Sequence, residues 1–156
     1  MVKLWGFLHL AGMAFWLGGM TTLGIWTGRA RRTADPRIIV FAYNTAARYY
    51  RGFISAVAIV TFVSGIALVF ATNREWFQPF PDHWLFQMQI IGTLVFLATL
   101  FFVIPNAVAL AGFAERDAEE GTVSPQFARR VRWQVIVGNA VGAALIYLVI
   151  LGVFRF

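Results

Sequence analysis

His9 is followed at helical spacing by Met13, Trp16 and Met20. Steps of four, three and four residues put all four side chains on one side of a helix. An imidazole, two thioethers and an indole thus share one face. Neutral imidazole and thioether are ligands for haem iron and for Cu(I). The stretch that carries them, FLHLAGMAFWLGGM over residues 7–20, is otherwise apolar. An ionisable ring in such a setting is costly and marks a functional site by default. The competing reading is an imidazole hydrogen-bonded to a neighbouring helix, with the methionines and Trp16 as packing.

The elements that must position this face are membrane spans. Of the 156 residues, 60% are hydrophobic and only 13% charged, with a mean hydropathy of +0.71. That balance excludes an ordinary soluble domain. Four uncharged segments reach the length of about 20 residues that a span requires: Leu4 to Trp26, Phe53 to Ala71, Trp84 to Leu110 and Trp133 to Phe154. The expectation is an all-α, single-domain, transmembrane four-helix up-down bundle over 1–156. The second and fourth helices are expected to extend beyond the bilayer, the fourth opening at Ser124 as N-cap with Pro125 at its first position. Pro105 is expected to disturb the third helix, with Asn106 satisfying the carbonyl that it frees. The acidic run ERDAEEG reads as a solvated loop. Small-residue pairs Gly138/Gly142 and Ala14/Gly18, and the Ser64–Gly65 step, read as helix contact faces.

Positive charge sets the orientation. Ten of the 13 Lys and Arg residues lie in the two connections after spans one and three, and only Lys3, Arg74 and Arg155 lie at the other ends. Both termini are therefore expected on the outer, periplasmic side. The first segment reads as a retained helix and not a cleaved signal, because its positive charges follow the apolar run. The arginines serve topology here, so no nucleic-acid partner is expected. The net charge of +6 has its explanation in the bilayer.

Depth then selects a partner for His9. It lies about 8 Å of helix rise inside the outer boundary, and Met88 reaches about the same depth in the third helix. His83, the other histidine, lies at the surface. A haem held between bundle helices takes ligands at one depth from opposite sides, which favours His9 with Met88 over His9 with His83, a choice that a helix beginning before Trp84 would reverse. His83 is left to bond a propionate, helped by Arg74 or Arg155. Copper on His9, His83, Met13, Met20 and Met88 is the alternative. Zero cysteines exclude disulfides, thiolate zinc sites and covalent haem attachment. A Ser-His-Asp set is unsupported, since the outer face offers only Glu75 and Asp82 as carboxylates. Gln87, Gln89, Asn139 and Tyr147 read as an interhelical network, or as contacts to a quinone.

The segment VKLWGFLHLAGMAFWLGGM, followed by RARR, resembles the opening helix of a bacterial family of uncharacterised four-helix integral membrane proteins. The likeness continues through TFVSGIALVF, the third span ending near Pro105, and RRVRWQVIVGNAVGAA. That family is similar in turn to the copper-resistance CopD membrane domain and to HemJ, the oxygen-independent protoporphyrinogen oxidase type. The HemJ resemblance implies haem b on His9, with Trp16, Gly18 and Gly19 matching the motif that follows. HemJ also has a lysine early in its third helix, where this chain has Met88. The CopD resemblance implies copper transport, although the extra helices of that larger protein are missing here. A bacterial inner membrane is the implied location.

The leading expectation is a membrane b-type haem-binding protein in electron transfer or haem handling, not an enzyme by itself, with His9, Met88, His83, Met13, Trp16 and Arg74 around the haem. The runner-up is a non-catalytic accessory subunit of a larger respiratory or photosynthetic complex, and copper handling is third. The lipid bilayer, other membrane subunits, a quinone or further copies of the chain are the expected partners.

Overall fold

The computed structural model describes residues 1–77 and 83–154. Arg155 and Asp82 lie outside the described residues. The chain forms α1 (Val2–Arg32), α2 (Pro36–Tyr49), a π-helical turn π1 (Tyr50–Ile54), α3 (Ser55–Ala71), α4 (His83–Ala98), a second π-helical turn π2 (Thr99–Val103), α5 (Ile104–Glu120) and α6 (Pro125–Phe154). The π turns join their flanking helices into continuous rods, so that four helices among the described residues are long and apolar enough to cross a membrane: Val2–Arg32, Pro36–Ala71, His83–Glu120 and Pro125–Phe154. All four run past the hydrophobic segments at their arginine-rich ends, not only the second and fourth.

Local chemistry explains the boundaries. Arg29, Arg31 and Arg32 occupy the last turn of α1, where cations oppose the negative end of the helix dipole. Asp35 caps α2 by accepting from Arg37 N at 2.9 Å, with Pro36 at the first position. Ser124 caps α6 as expected, its Oγ accepting from Phe127 N at 3.2 Å.

Three expectations are corrected. The ERDAEEG run is not a solvated loop: its residues through Glu120 close α5, and Asp117 is buried at 8% exposure. Asp117 Oδ2 accepts from both the backbone N–H and the hydroxyl of Ser124, at 2.8 and 3.0 Å. A carboxylate that ties two helix ends together has a reason to be buried. Pro105 disturbs its helix as expected, without ending it. Having no N–H, it leaves the carbonyl four residues earlier without its donor, and the backbone widens into π2, where Ile104 N bonds Thr99 O. Asn106 takes no part in that repair. Its Nδ2 donates across to α6, to Arg130 O at 3.1 Å and Gln134 Oε1 at 2.8 Å, while its Oδ1 accepts from Arg130 at 3.0 Å.

The third correction concerns close approach. Ala14 and Gly18 are exposed, and a Cβ at Gly18 would meet nothing within 4 Å. The positions on α1 that need glycine are Gly12, where a Cβ would lie 2.2 Å from Thr61 Oγ1, and Gly19, where it would lie 2.7 Å from Ile54 Cδ1. Sequence numbers rise along α1 as they fall along α3. Gly142 of α6 faces Leu17, with 3.8 Å from its Cβ position to Leu17 Cδ1, but Gly138 stands open.

The buried core has two parts. The larger includes Met13, Trp16, Met20, Ile54, Ala58, Val95, Leu145 and Leu148. The smaller, built on Tyr43, Leu110, Ala111 and Phe127, joins α2 to α5 and α6. Large apolar side chains such as Phe101, Phe102 and Phe154 point outward. Outward apolar surface is what a bilayer requires of a helical bundle.

Candidate cofactor site

The His9 ring lies in the seam between α1 and α3. Its Nδ1 bonds the carbonyl of Thr61 at 2.8 Å. A carbonyl only accepts, so Nδ1 carries the proton and Nε2 keeps its lone pair. Thr61 O is shared with Ser64, whose hydroxyl donates to it at 3.0 Å. The Thr61 hydroxyl is itself turned back to Val57 O at 2.7 Å.

Two glycines make room for this arrangement. A Cβ at Gly65 would stand 3.0 Å from His9 Cε1 and 3.3 Å from Nδ1. Gly12, one turn along α1 from His9, lets the helices approach at Thr61. The Ser64–Gly65 step is therefore the contact face that its small residues suggest.

The rest of the face divides. Met13, Trp16 and Met20 are buried in the larger core cluster. Trp16 is 2% exposed, and its indole N–H has no hydrogen-bond partner among the described residues, an uncommon state for a buried donor. Met88 packs against the same cluster, with its Cε 2.8 Å from the Cβ position of Gly152 in α6. His9 thus rests on α3, and Met88 on α6. Tyr147 of α6 donates to Gln87 Oε1 of α4, one bond of the network read from the sequence. Gln89 instead accepts from Phe77 N at 2.8 Å, and Asn139 is exposed.

At the start of α4, His83 is exposed. Arg74 lies over the Trp84 ring, 5.6 Å from its centroid, which brings the arginine beside the residue that follows His83. Thr61, Ser64, Gly65 and Gly12 as a ring-holding set were missed in part by sequence reading. The available signal was the polar and small pattern T-x-x-S-G within an apolar helix.

A family described as predicted integral membrane protein (DUF2269) matches residues 3–156. The chain belongs to this family. Nothing matches among curated proteins or among solved structures. As a DUF2269 member the chain is an integral, multi-pass membrane protein, in accord with its four long apolar helices. The His9–Thr61 seam joins the first two of them.

Proposed function

We propose that this chain is a membrane b-type haem-binding protein serving electron transfer or haem handling, with His9 as an axial ligand through Nε2. The observation that carries the reading is the 2.8 Å bond from His9 Nδ1 to Thr61 O. Imidazoles that bind metals characteristically give their second ring N–H to a carbonyl or carboxylate, which fixes the tautomer and raises the basicity of the ligating nitrogen. His9 has that second partner already.

The surrounding residues offer donors suited to such a group. Met88 of α4, which borders the same apolar cluster as Met13 and Trp16, would supply a thioether. The Trp16 N–H, without a partner among the described residues, would donate to an acceptor atom of the group. Arg74, beside the start of α4, is a cation for a carboxylate at that end of the bundle. Haem supplies one-electron chemistry when bound. The protein's part is to hold the imidazole by the Thr61 carbonyl, leave space for it at Gly65, and keep water out with the apolar cluster.

The reading includes an up-down bundle forming one domain in a bacterial inner membrane, with both termini and His9 toward the outer side. The charge count supports that orientation: ten Lys and Arg at one set of helix ends against three at the other. It also includes kinship with the CopD and HemJ groups, supported by the His9 helix and the Trp16, Gly18 and Gly19 motif.

An absorption spectrum of the protein produced with ample haem tests the reading. A Soret band and a reduced alpha band are expected, both lost in His9→Ala. A colourless preparation sinks it. Bound copper in that preparation then favours metal handling, whereas stoichiometric co-purification with other subunits favours an accessory role.

A further inference from the structure

At the arginine-rich end of the bundle, α1 and α6 part and leave a cavity of about 500 Å³ between them. One end closes where Leu17 meets Gly142. Arg31 lines the other end. From Leu17 to Arg31, α1 rises about 21 Å, enough to cover the roughly 15 Å hydrocarbon depth of one leaflet and reach its headgroups. The volume falls in the range of about 300–1,000 Å³ usual for ligand sites.

The cavity is polarised. Toward Leu17 its lining is mainly apolar, with Met20, Ala143 and Ile146 beside Thr21 and Asn139. Gly24 and Gly138 stand on its two walls, and a Cβ on either would meet nothing within 4 Å. Toward the other end lie hydrogen-bond donors. Arg130 donates to Asn106 Oδ1 at 3.0 Å, and Asn106 donates to Gln134 Oε1 at 2.8 Å. Gln134 and Tyr50 both line the cavity. With its Oε1 held by Asn106, the buried Gln134 amide nitrogen has no hydrogen-bond partner among the described residues, so it and the Tyr50 hydroxyl are the donors that the cavity receives. Arg31 adds a full positive charge at the mouth, and among the described residues no carboxylate lines the space. An occupant that satisfies these groups has an anionic head, an acceptor oxygen just beneath it and a long apolar tail.

We propose that this groove is a binding site for an anionic phospholipid of the leaflet at the arginine-rich end. The phosphate pairs with Arg31, an ester carbonyl accepts from Tyr50, and an acyl chain runs over Gly138 toward Leu17. Basic pockets between membrane helices select anionic headgroups by this chemistry. A neutral quinone would use Tyr50 and the apolar end but leave Arg31 without a counter-charge. The site stands apart from His9 and does not depend on haem being bound there.

Native mass spectrometry of the full chain in mild detergent, with phosphatidylglycerol or chain-matched phosphatidylcholine added, tests the proposal. Phosphatidylglycerol is expected to be retained at least about fivefold better, the factor that one basic residue contributes at a charged lipid surface. Arg31→Gln should abolish that preference, and Tyr50→Phe should weaken retention of both lipids. Gly138→Leu, whose side chain enters open space, should remove binding while circular dichroism shows unchanged helicity. If that variant does not fold, Gly24→Leu fills the groove from the opposite wall. Equal retention of the two lipids by the unaltered protein overturns the proposal, as does phosphatidylglycerol binding that survives a folded groove-filling variant. Binding of a short-chain quinone that Gly138→Leu removes and Arg31→Gln leaves intact, without lipid preference, overturns it in favour of a quinone site.

Discussion

His9 gives its Nδ1 proton to the carbonyl of Thr61 across the seam between the first two long helices. That bond joins residues 52 apart in sequence and leaves Nε2 as the ring atom with a free lone pair. The same bond would hold a histidine that serves only packing, so a substitution has to separate the two roles. His9→Gln separates the two roles, because its amide retains a donor for Thr61 O but presents no imidazole. We expect this variant to fold with normal helicity and to lose the Soret and alpha bands of haem-replete protein. Retention of both bands would remove His9 from the axial position.

The same seam predicts a steep difference between neighbouring glycines. In Gly12→Ala the new methyl would stand 2.2 Å from Thr61 Oγ1, whereas at Gly18 it would meet nothing within 4 Å. Overpacking of this kind costs typically about 1–3 kcal/mol, against about 0.5 kcal/mol or less at an open surface position. Thermal denaturation in detergent should show a clear loss for Gly12→Ala and almost none for Gly18→Ala. Equal behaviour would mean that α1 and α3 do not approach as described.

Gly65→Ala probes the ring more gently. Its Cβ would stand 3.0 Å from His9 Cε1, so the imidazole must move by a few tenths of an ångström. In haem-loaded protein we expect a shifted midpoint potential or alpha-band position with the haem retained, since ligand orientation tunes the metal. An unchanged potential and spectrum would argue that the ring does not touch the haem.

Asn106→Leu removes the hinge of the Arg130–Asn106–Gln134 chain. A buried amide partner left unsatisfied costs about 1–3 kcal/mol, and chemical denaturation should register a loss of that size. The same variant should weaken lipid retention in the α1–α6 groove, because Gln134 loses the bond to its Oε1 that holds it at the cavity wall. Full retention of stability would place this network outside the packed structure.

Asp117→Ala should loosen the turn between α5 and α6. It deletes an acceptor used by both the N–H and hydroxyl of Ser124, at a cost comparable to losing a helix cap, about 1–2 kcal/mol. Faster proteolysis between Glu120 and Phe127 is the expected readout. Unchanged cleavage there would show that the carboxylate does not anchor the turn.

Membrane class, four long helices, the arginine-rich connections and the burial of Met13, Trp16 and Met20 on one face of the first helix are all legible in the order of the residues. Each rests on composition or on a helical period, and both are local properties. The Ser124 cap and the Ser64–Gly65 narrow point are legible for the same reason. Less could be read where several residues offered the same local signal. Ala14 and Gly18 form as good a small-residue pair as Gly12 and Gly19, and only the neighbouring helix distinguishes them. Asn106 beside Pro105 had a plausible partner in its own helix, yet its bonds run to Arg130 and Gln134.

Apolar patterning was enough to commit this chain to long helices in a bilayer, because hydrocarbon leaves a backbone few other ways to satisfy its hydrogen bonds. It says little about rotation or partner choice, since lipid and helix interior are both apolar and a hydrophobic face does not declare which one it meets. Thr61 as the partner of His9, the π turns that carry two helices past their irregular points, and the groove where α1 leaves α6 all arise from contacts between distant segments. They were set by which small side chains allow close approach and which buried donors find acceptors, and those are properties of the packed helices together.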